Sequence, residues 1–98
     1  MSKFEVLPSR STYSPAELVE IEVRNLPEGG ELSIWNLGKC VSRMNCNRDG
    51  FHSLGLLTPG GYGIEVNAGT QFARTSVEVT ADPKARMRYG FVADYSPA

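Results

Sequence analysis

The sequence lacks both a long apolar run and an excess of charge of either sign. Its 98 residues include ten Lys and Arg and eleven Asp and Glu, which gives a formal net charge of −1. No stretch approaches the roughly 20 apolar residues needed to cross a bilayer, so no membrane-spanning segment is expected. The basic side chains form no stripe that would neutralise phosphates, so the composition predicts no nucleic-acid partner.

Cysteine and histidine are also scarce, with two of the former and one of the latter. Cys40 and Cys46 have no clustered His or acidic neighbours, so they predict no zinc site. Because they are six positions apart and flank a polar segment, both free thiols and a local disulfide remain open. The lack of a signal peptide at the N-terminus favours free thiols. It also predicts a cytoplasmic location for the chain as it stands, or secretion if a leader has been removed.

The chain does contain closely spaced turn residues that separate short runs of alternating character. Turn signals such as Asn47–Gly50 and Thr58–Gly61 recur along it and leave runs of about five to nine residues. In the clearest run, Leu18–Arg24, aliphatic side chains alternate with Glu and Arg. A period of two indicates a strand with one buried face and one solvated face.

Six further strands are predicted on the same grounds. They are a strand around Phe4 and Val6, Glu31–Leu37, Lys39–Met44 as a short edge strand, Phe51–Leu57, a strand around Tyr62, Ile64 and Val66, and a strand around Ala73, Thr75, Val77 and Val79. In Phe51–Leu57 two apolar faces compete, so that strand contains a bulge or is fully buried. Seven strands without a helix predict an all-β fold over residues 1–81, an immunoglobulin-like (fibronectin-like) antiparallel β-sandwich.

No residue is predicted to be catalytic or to bind a cofactor or a metal. His52 is the only histidine, and no nucleophile motif accompanies it. The acidic residues alternate with core positions and do not suggest the facing pair that glycoside hydrolysis requires. Asn45–Gly50 resembles the start of a calcium loop, but the twelfth position is Leu56 where a Glu is needed. This chain is therefore predicted not to be an enzyme.

Trp35 is the candidate binding residue. It is out of phase with Leu32 and Ile34, which indicates the outer face of its strand. An exposed Trp can stack on a sugar ring because both surfaces are flat and apolar. The alternatives are that Trp35 covers the sheet edge, packs on a neighbouring domain, or enters the core through a bulge at Asn36. Phe72 is out of phase in its own strand and has the same alternatives.

The C-terminal residues differ in character from the rest. Ala81–Ala85 has the composition of a linker, and Arg86–Pro97 is richer in apolar and aromatic residues than a frayed terminus. The stretch Arg88–Tyr95, R-Y-G-F-V-A-D-Y, resembles the entry into the catalytic barrel of the dextranase and cycloisomaltooligosaccharide glucanotransferase family of glycoside hydrolases. In that family an N-terminal immunoglobulin-like domain precedes a (β/α)₈ barrel that acts on α-1,6-linked glucans.

The resemblance implies that residues 82–98 are a linker and the start of a downstream catalytic domain. The chain would be a non-catalytic accessory domain of a dextranase-like glycoside hydrolase or transglycosylase, and no catalytic residue of the barrel has a counterpart in it. Arg88, Tyr89 and Phe91 would contact the neighbouring domain. The implied partners are that domain of the same polypeptide and a glucan. Two alternatives are a carbohydrate-binding module with a sugar site near Trp35 and a free-standing interaction or adhesion domain.

Overall fold

Eight strands in two sheets make up the computed structural model, which describes residues 3–81. They are β1 (Glu5–Pro8), β2 (Thr12–Tyr13), β3 (Val19–Arg24), β4 (Gly30–Asn36), β5 (Lys39–Cys46), β6 (Gly50–Gly55), β7 (Gly60–Ala68) and β8 (Gln71–Val79). A three-stranded sheet has the order β1–β3–β6, and a five-stranded sheet has the order β2–β8–β7–β4–β5. The predicted all-β, immunoglobulin-like sandwich is confirmed.

Most of the core between the sheets consists of side chains that alternation assigned to it, and Tyr13 and Cys46, which lie outside the predicted strands, are buried with them. In β3, Val19, Ile21 and Val23 face inward and are buried, while the Glu residues between them face out. The five-stranded sheet contributes Leu32, Ile34, Tyr62, Ile64, Val66, Val77 and Val79. Because full burial of one such aliphatic side chain stabilises a fold by about 1.5–3 kcal/mol, this shared core holds the two sheets together.

Two tyrosines attach loops to the sandwich at the edge of this core. The Tyr62 hydroxyl donates a hydrogen bond to the Thr58 carbonyl oxygen at 2.8 Å, four residues upstream. This arrangement is the tyrosine corner found in many immunoglobulin-like sandwiches. The Tyr13 hydroxyl donates to the Glu20 carbonyl oxygen at 2.9 Å and thereby ties β2 to β3 across the two sheets. Both hydroxyls are satisfied although their rings are buried.

The number of strands predicted was too small by one. The additional strand is β2, two residues long, which pairs in parallel with Glu78 and Val79 of β8. Two residues are too few for alternation to be visible. The edge strand β5 also continues to Cys46, past the predicted end at Met44. No helix within residues 3–81 is long and apolar enough to cross a membrane.

A bulge resolves the ambiguous facing of the Phe51–Leu57 segment. Val19 pairs with Gly55 and Glu20 pairs with Ser53, so Leu54 lies between two rungs of the ladder. Leu54 turns inward and is 8% exposed, whereas Phe51 remains 59% exposed. The strand itself ends at Gly55, and the bulge is the alternative that applies.

Candidate functional site

The outer face of the five-stranded sheet carries a groove of about 690 Å³, which we call the outer groove. It is lined mainly by Trp35, Gly61, Gly63, Arg74, Ser76 and Glu78, with Thr12 and the Leu37–Gly38 turn at its rim. The strand register accounts for this set, because Trp35 pairs with Gly63 and Gly63 pairs with Ser76. Successive residues of a strand point to opposite faces, and the neighbouring positions of these strands face the core.

Two glycines form the floor of the outer groove. Gly61 and Gly63 occupy outward positions of β7, so this strand leaves a trough between the side chains of β4 and β8. A Cβ atom at Gly63 would lie 3.9 Å from the Trp35 Cβ and 3.9 Å from Arg74 Nη2. Trp35 and Arg74 therefore stand on either side of Gly63. The backbones of β4 and β8 are about 10 Å apart because they are two strand spacings from each other, and the side chains of Trp35 and Arg74 approach more closely above Gly63.

Trp35 lies half-buried on the outer face, as its phase predicted. Its Nε1–H donates a hydrogen bond to Ser33 Oγ at 2.9 Å, which orients the indole along β4. The β4–β5 register shifts between Ile34 and Trp35, and the unpaired residue is Val41 on β5. Trp35 thus stays outside, and the alternative that it enters the core through a bulge at Asn36 is wrong.

Arg74, Ser76 and Glu78 form the polar wall of the outer groove along β8. Glu65 is the cross-strand neighbour of Arg74, yet the ion pairs formed within residues 3–81 do not include Arg74. None of the three wall side chains makes a hydrogen bond to another side chain in that range. All three residues are exposed in the described part of the chain.

Cys46 and His52 approach each other at the core edge, with Sγ 3.9 Å from Nε2. The same Nε2 lies 2.9 Å from the Arg48 carbonyl oxygen. A carbonyl oxygen can only accept a hydrogen bond, so Nε2 carries the hydrogen and cannot take a proton from the thiol. Burial also raises the pKa of the Cys46 thiol, which keeps it protonated. The pair therefore does not form a nucleophile and its base.

Both cysteines are free thiols. Cys40 and Cys46 are separated by six residues of the continuous strand β5, which corresponds to about 20 Å along an extended strand. A disulfide requires Cα atoms within about 7 Å, so the local disulfide considered from the sequence is ruled out. Cys40 lies beside Trp35 on the adjacent strand, where its Sγ accepts a hydrogen bond from Arg43 Nε at 3.3 Å.

The Asn45–Gly50 segment spans the end of β5, the turn 47–49 and the start of β6, and its Asp49 has a structural role. The Asp49 carboxylate accepts hydrogen bonds from the backbone N–H groups of Asn25, at 3.1 Å, and Leu26, at 2.8 Å. It thereby holds the connection between β3 and β4. Within residues 3–81 no group of three or more His, Cys, Asp or Glu side chains is placed to hold a metal ion.

A second surface lies at the end of the sandwich from which the chain leaves β8. Gly60 pairs with Val79, so β7 begins and β8 ends at this end. Of the six strongly exposed large apolar side chains in the described part, four lie here: Leu18, Leu37, Val41 and Leu56. We call these four residues the apolar end. Val41 and Leu56 line one shallow cavity, which connects the β4–β5 hairpin with the loop before β7.

Sequence reasoning offered Trp35 as a candidate binding residue but missed Gly61, Gly63 and Arg74. Gly61 was interpreted as part of the Thr58–Gly61 turn, and Gly63 was given no role. A signal was present, because Gly61 and Gly63 alternate with the core residues Tyr62 and Ile64. The outer face of β7 therefore lacks side chains at two successive positions. The predicted inter-domain residues Arg88, Tyr89 and Phe91 lie outside the described residues.

No model of a known protein family matches the chain, and no curated protein matches it either. The family resemblance of Arg88–Tyr95 therefore stays a prediction from those residues. The fold, the outer groove and the apolar end are the structural observations on which a function can be proposed.

Proposed function

We propose that this chain is a non-catalytic accessory domain of an enzyme acting on α-glucans. It docks onto a neighbouring domain of the same polypeptide through the apolar end. One observation carries the docking: exposed aliphatic side chains are concentrated where the chain leaves β8. The resemblance of Arg88–Tyr95 to the start of a dextranase-type barrel supports a glycoside hydrolase or transglycosylase as the neighbour.

The side chains of the apolar end expose apolar surface, and burying that surface against another domain would be favourable. Leu18 and Leu56 are 61% and 62% exposed, and Leu37 is 92% exposed. Each Å² of apolar surface removed from water stabilises a contact by about 25 cal/mol. A neighbouring domain seated on these leucines would recover that free energy.

The loop that carries Leu18 is already ordered for such a contact. The Glu17 carboxylate accepts a hydrogen bond from the Ser14 backbone N–H at 2.8 Å and forms an ion pair with Arg10. The hydrogen bond from Ser14, followed by the interaction with Arg10, lowers the pKa of Glu17. Because these contacts fix the residue next to Leu18, docking costs little additional ordering of the backbone.

The first test is to read the coding sequence beyond Ala98. We expect a (β/α)₈ barrel with the carboxylate pair of a glycoside hydrolase. A stop codon at this point, or a downstream domain without such a pair, would contradict the proposal.

The second test is a pair of double variants in the longer polypeptide. Leu18→Ser with Leu56→Ser removes two side chains of the apolar end, and we expect a lower thermal midpoint in the longer polypeptide. The matched control is Phe51→Ser with Phe72→Ser, which removes equally exposed side chains at the opposite end. We expect the control to leave the midpoint close to that of the parent. Equal effects of the two pairs would refute docking at the apolar end.

A further inference from the structure

We infer that the outer groove binds a neutral hexose unit of an oligosaccharide. The sugar ring stacks on Trp35, and its hydroxyl groups bond to Arg74, Ser76 and Glu78. The site lies on the outer face of the five-stranded sheet, and nothing in it requires the docking proposed above. The inference rests on the shape of the floor, the surface of the indole and the polar groups of the wall, which bond to no other side chain within residues 3–81.

The floor of the outer groove admits a flat ring because Gly63 has no side chain. The nearest atoms to a Cβ at this position belong to the two walls, Trp35 and Arg74, each at 3.9 Å. A ring stacked about 4 Å from the indole would occupy the space above Gly63. The Arg74 guanidinium, which extends from β8 toward Gly63, then lies within hydrogen-bonding reach of the ring hydroxyls.

The indole of Trp35 offers the ligand a carbon surface. Its N–H already donates to Ser33 Oγ, so the remaining ring presents no unsatisfied polar group. The C–H face of a pyranose is similarly apolar, whereas its hydroxyl groups project from the ring edge. Stacking removes both apolar surfaces from water and directs the hydroxyls toward β8.

The polar wall supplies both donors and acceptors. The Arg74 guanidinium donates only, the Glu78 carboxylate accepts only, and the Ser76 hydroxyl does both. Neighbouring sugar hydroxyls need this mixture, since each can accept one hydrogen bond and donate another. Hydrogen bonds to charged groups are the stronger ones, so Arg74 and Glu78 would orient the ring.

The charges around the outer groove disfavour an anionic ligand. One cation, Arg74, lies near two carboxylates, those of Glu65 and Glu78. The excess of carboxylates would repel an anion, whereas a neutral sugar can bond to the cation and to the carboxylates together. A peptide strand is also a poor fit, because β7 is hydrogen-bonded on both sides, to β4 and β8, and presents no free backbone edge.

The experiment uses Trp35 as its own probe, since it is the one tryptophan of the chain. Isomaltotriose and maltotriose are added separately to about 10 mM while tryptophan emission is recorded. At least one trisaccharide should give a saturable change with Kd of about 1 mM. Gly63→Val fills the floor, and we expect a loss of at least roughly tenfold in affinity. Arg43→Gln, which changes an arginine on the same face outside the outer groove, should bind like the parent.

Circular dichroism and thermal melting check that Gly63→Val folds, and Arg74→Ala provides a second variant if it does not. The inference is overturned if neither trisaccharide changes the emission or the backbone amide signals of Gly61 and Gly63. Unreduced binding by Gly63→Val or Arg74→Ala would overturn it as well. Tighter binding of an acidic trigalacturonate than of either neutral sugar would show that the ligand class is wrong. Because the chain is tested alone, these outcomes leave the docking proposal unaffected.

Discussion

The outer faces of the two sheets carry similar polar side chains, but these side chains differ in whether they bond to one another. On the three-stranded sheet the outward groups bond to one another: Arg24 pairs with Glu22 at 3.0 Å, and Ser9 Oγ donates to Glu20 at 3.3 Å. The five-stranded sheet has one such pair, Arg43 with Glu31 at 3.7 Å, but Arg74 and Glu78 stand beside a glycine floor, outside the ion pairs of residues 3–81.

The difference shows how one alternation rule can produce both a solvated face and a concave site. Outward polar residues that satisfy one another give a solvated surface with little to offer a ligand. Where outward polar residues surround the two glycines of a strand and lie next to an aromatic ring, they give a concavity with a few convergent polar groups. The identity of two residues, Gly61 and Gly63, accounts for most of the contrast.

The largest predicted effect on stability is a difference between Gly30→Ala and Gly63→Ala, two substitutions in the five-stranded sheet. In Gly30→Ala the new Cβ would lie 1.9 Å from the Asn67 carbonyl oxygen, so a backbone segment must move. We expect Gly30→Ala to lower the free energy of unfolding by about 3 kcal/mol. Gly63→Ala places its Cβ in open contact and should change it by less than about 0.5 kcal/mol. Urea denaturation measures both, and equal losses would show that the groove floor is not open.

A smaller effect on the free energy of unfolding is expected for Tyr62→Phe, which removes the hydroxyl of the tyrosine corner. The variant leaves the Thr58 carbonyl oxygen without its 2.8 Å hydrogen bond while keeping the buried ring. We expect a loss of about 1.5 kcal/mol in the free energy of unfolding. Urea denaturation measures this loss, and the dependence of the free energy of unfolding on urea concentration should be unchanged. A loss near zero would mean that the loop before β7 is not held by this hydroxyl.

The alternation of β3 was sufficient to predict its strand, its buried face and its antiparallel sheet. The outer position of Trp35 also followed from its phase relative to Leu32 and Ile34. The outer groove did not follow, because it requires β7 to lie between β4 and β8, and strand pairing between distant segments is not visible in local alternation. The bulge at Leu54 was anticipated only as one of two alternatives, since burial of a bulged residue depends on its partner strand.

The two cysteines predict a difference in reactivity across β5. Cys46 is fully buried, and burial raises the pKa of its thiol, whereas Cys40 is half-buried on the outer face. In the native protein we expect iodoacetamide to modify Cys40 first and Cys46 only after unfolding. Mass spectrometry after partial alkylation identifies the site. Equal labelling of both residues under native conditions would contradict the described packing.

The raised pKa of Cys46 also predicts a dependence of stability on pH. In the unfolded chain the thiol ionises at its ordinary pKa of about 8.5, whereas in the folded chain it stays protonated to higher pH. The contribution to stability is therefore complete below that value and is lost as the pH rises through the folded pKa. Urea denaturation across this range should show a shallower alkaline decline for Cys46→Ala than for the parent. Parallel declines would contradict the assignment.

The smallest effect is expected on the three-stranded sheet. Arg24→Gln breaks the exposed contact with Glu22, and exposed ion pairs contribute little because water and salt screen them. We expect no measurable change in the thermal midpoint and none in the sugar titration. A loss of sugar binding in this variant would indicate that the sugar binds the three-stranded sheet and not the outer groove.

The most direct test of the central claim, that the outer groove is a binding surface, is a ¹⁵N NMR titration of the chain with isomaltotriose and with maltotriose. The account predicts that at least one sugar shifts the Trp35 indole N–H signal together with the Gly61 and Gly63 amides. The amides of Glu20 and Glu22 on the three-stranded sheet should stay in place. Unchanged groove signals with both sugars, or equal shifts on the two sheets, would contradict it.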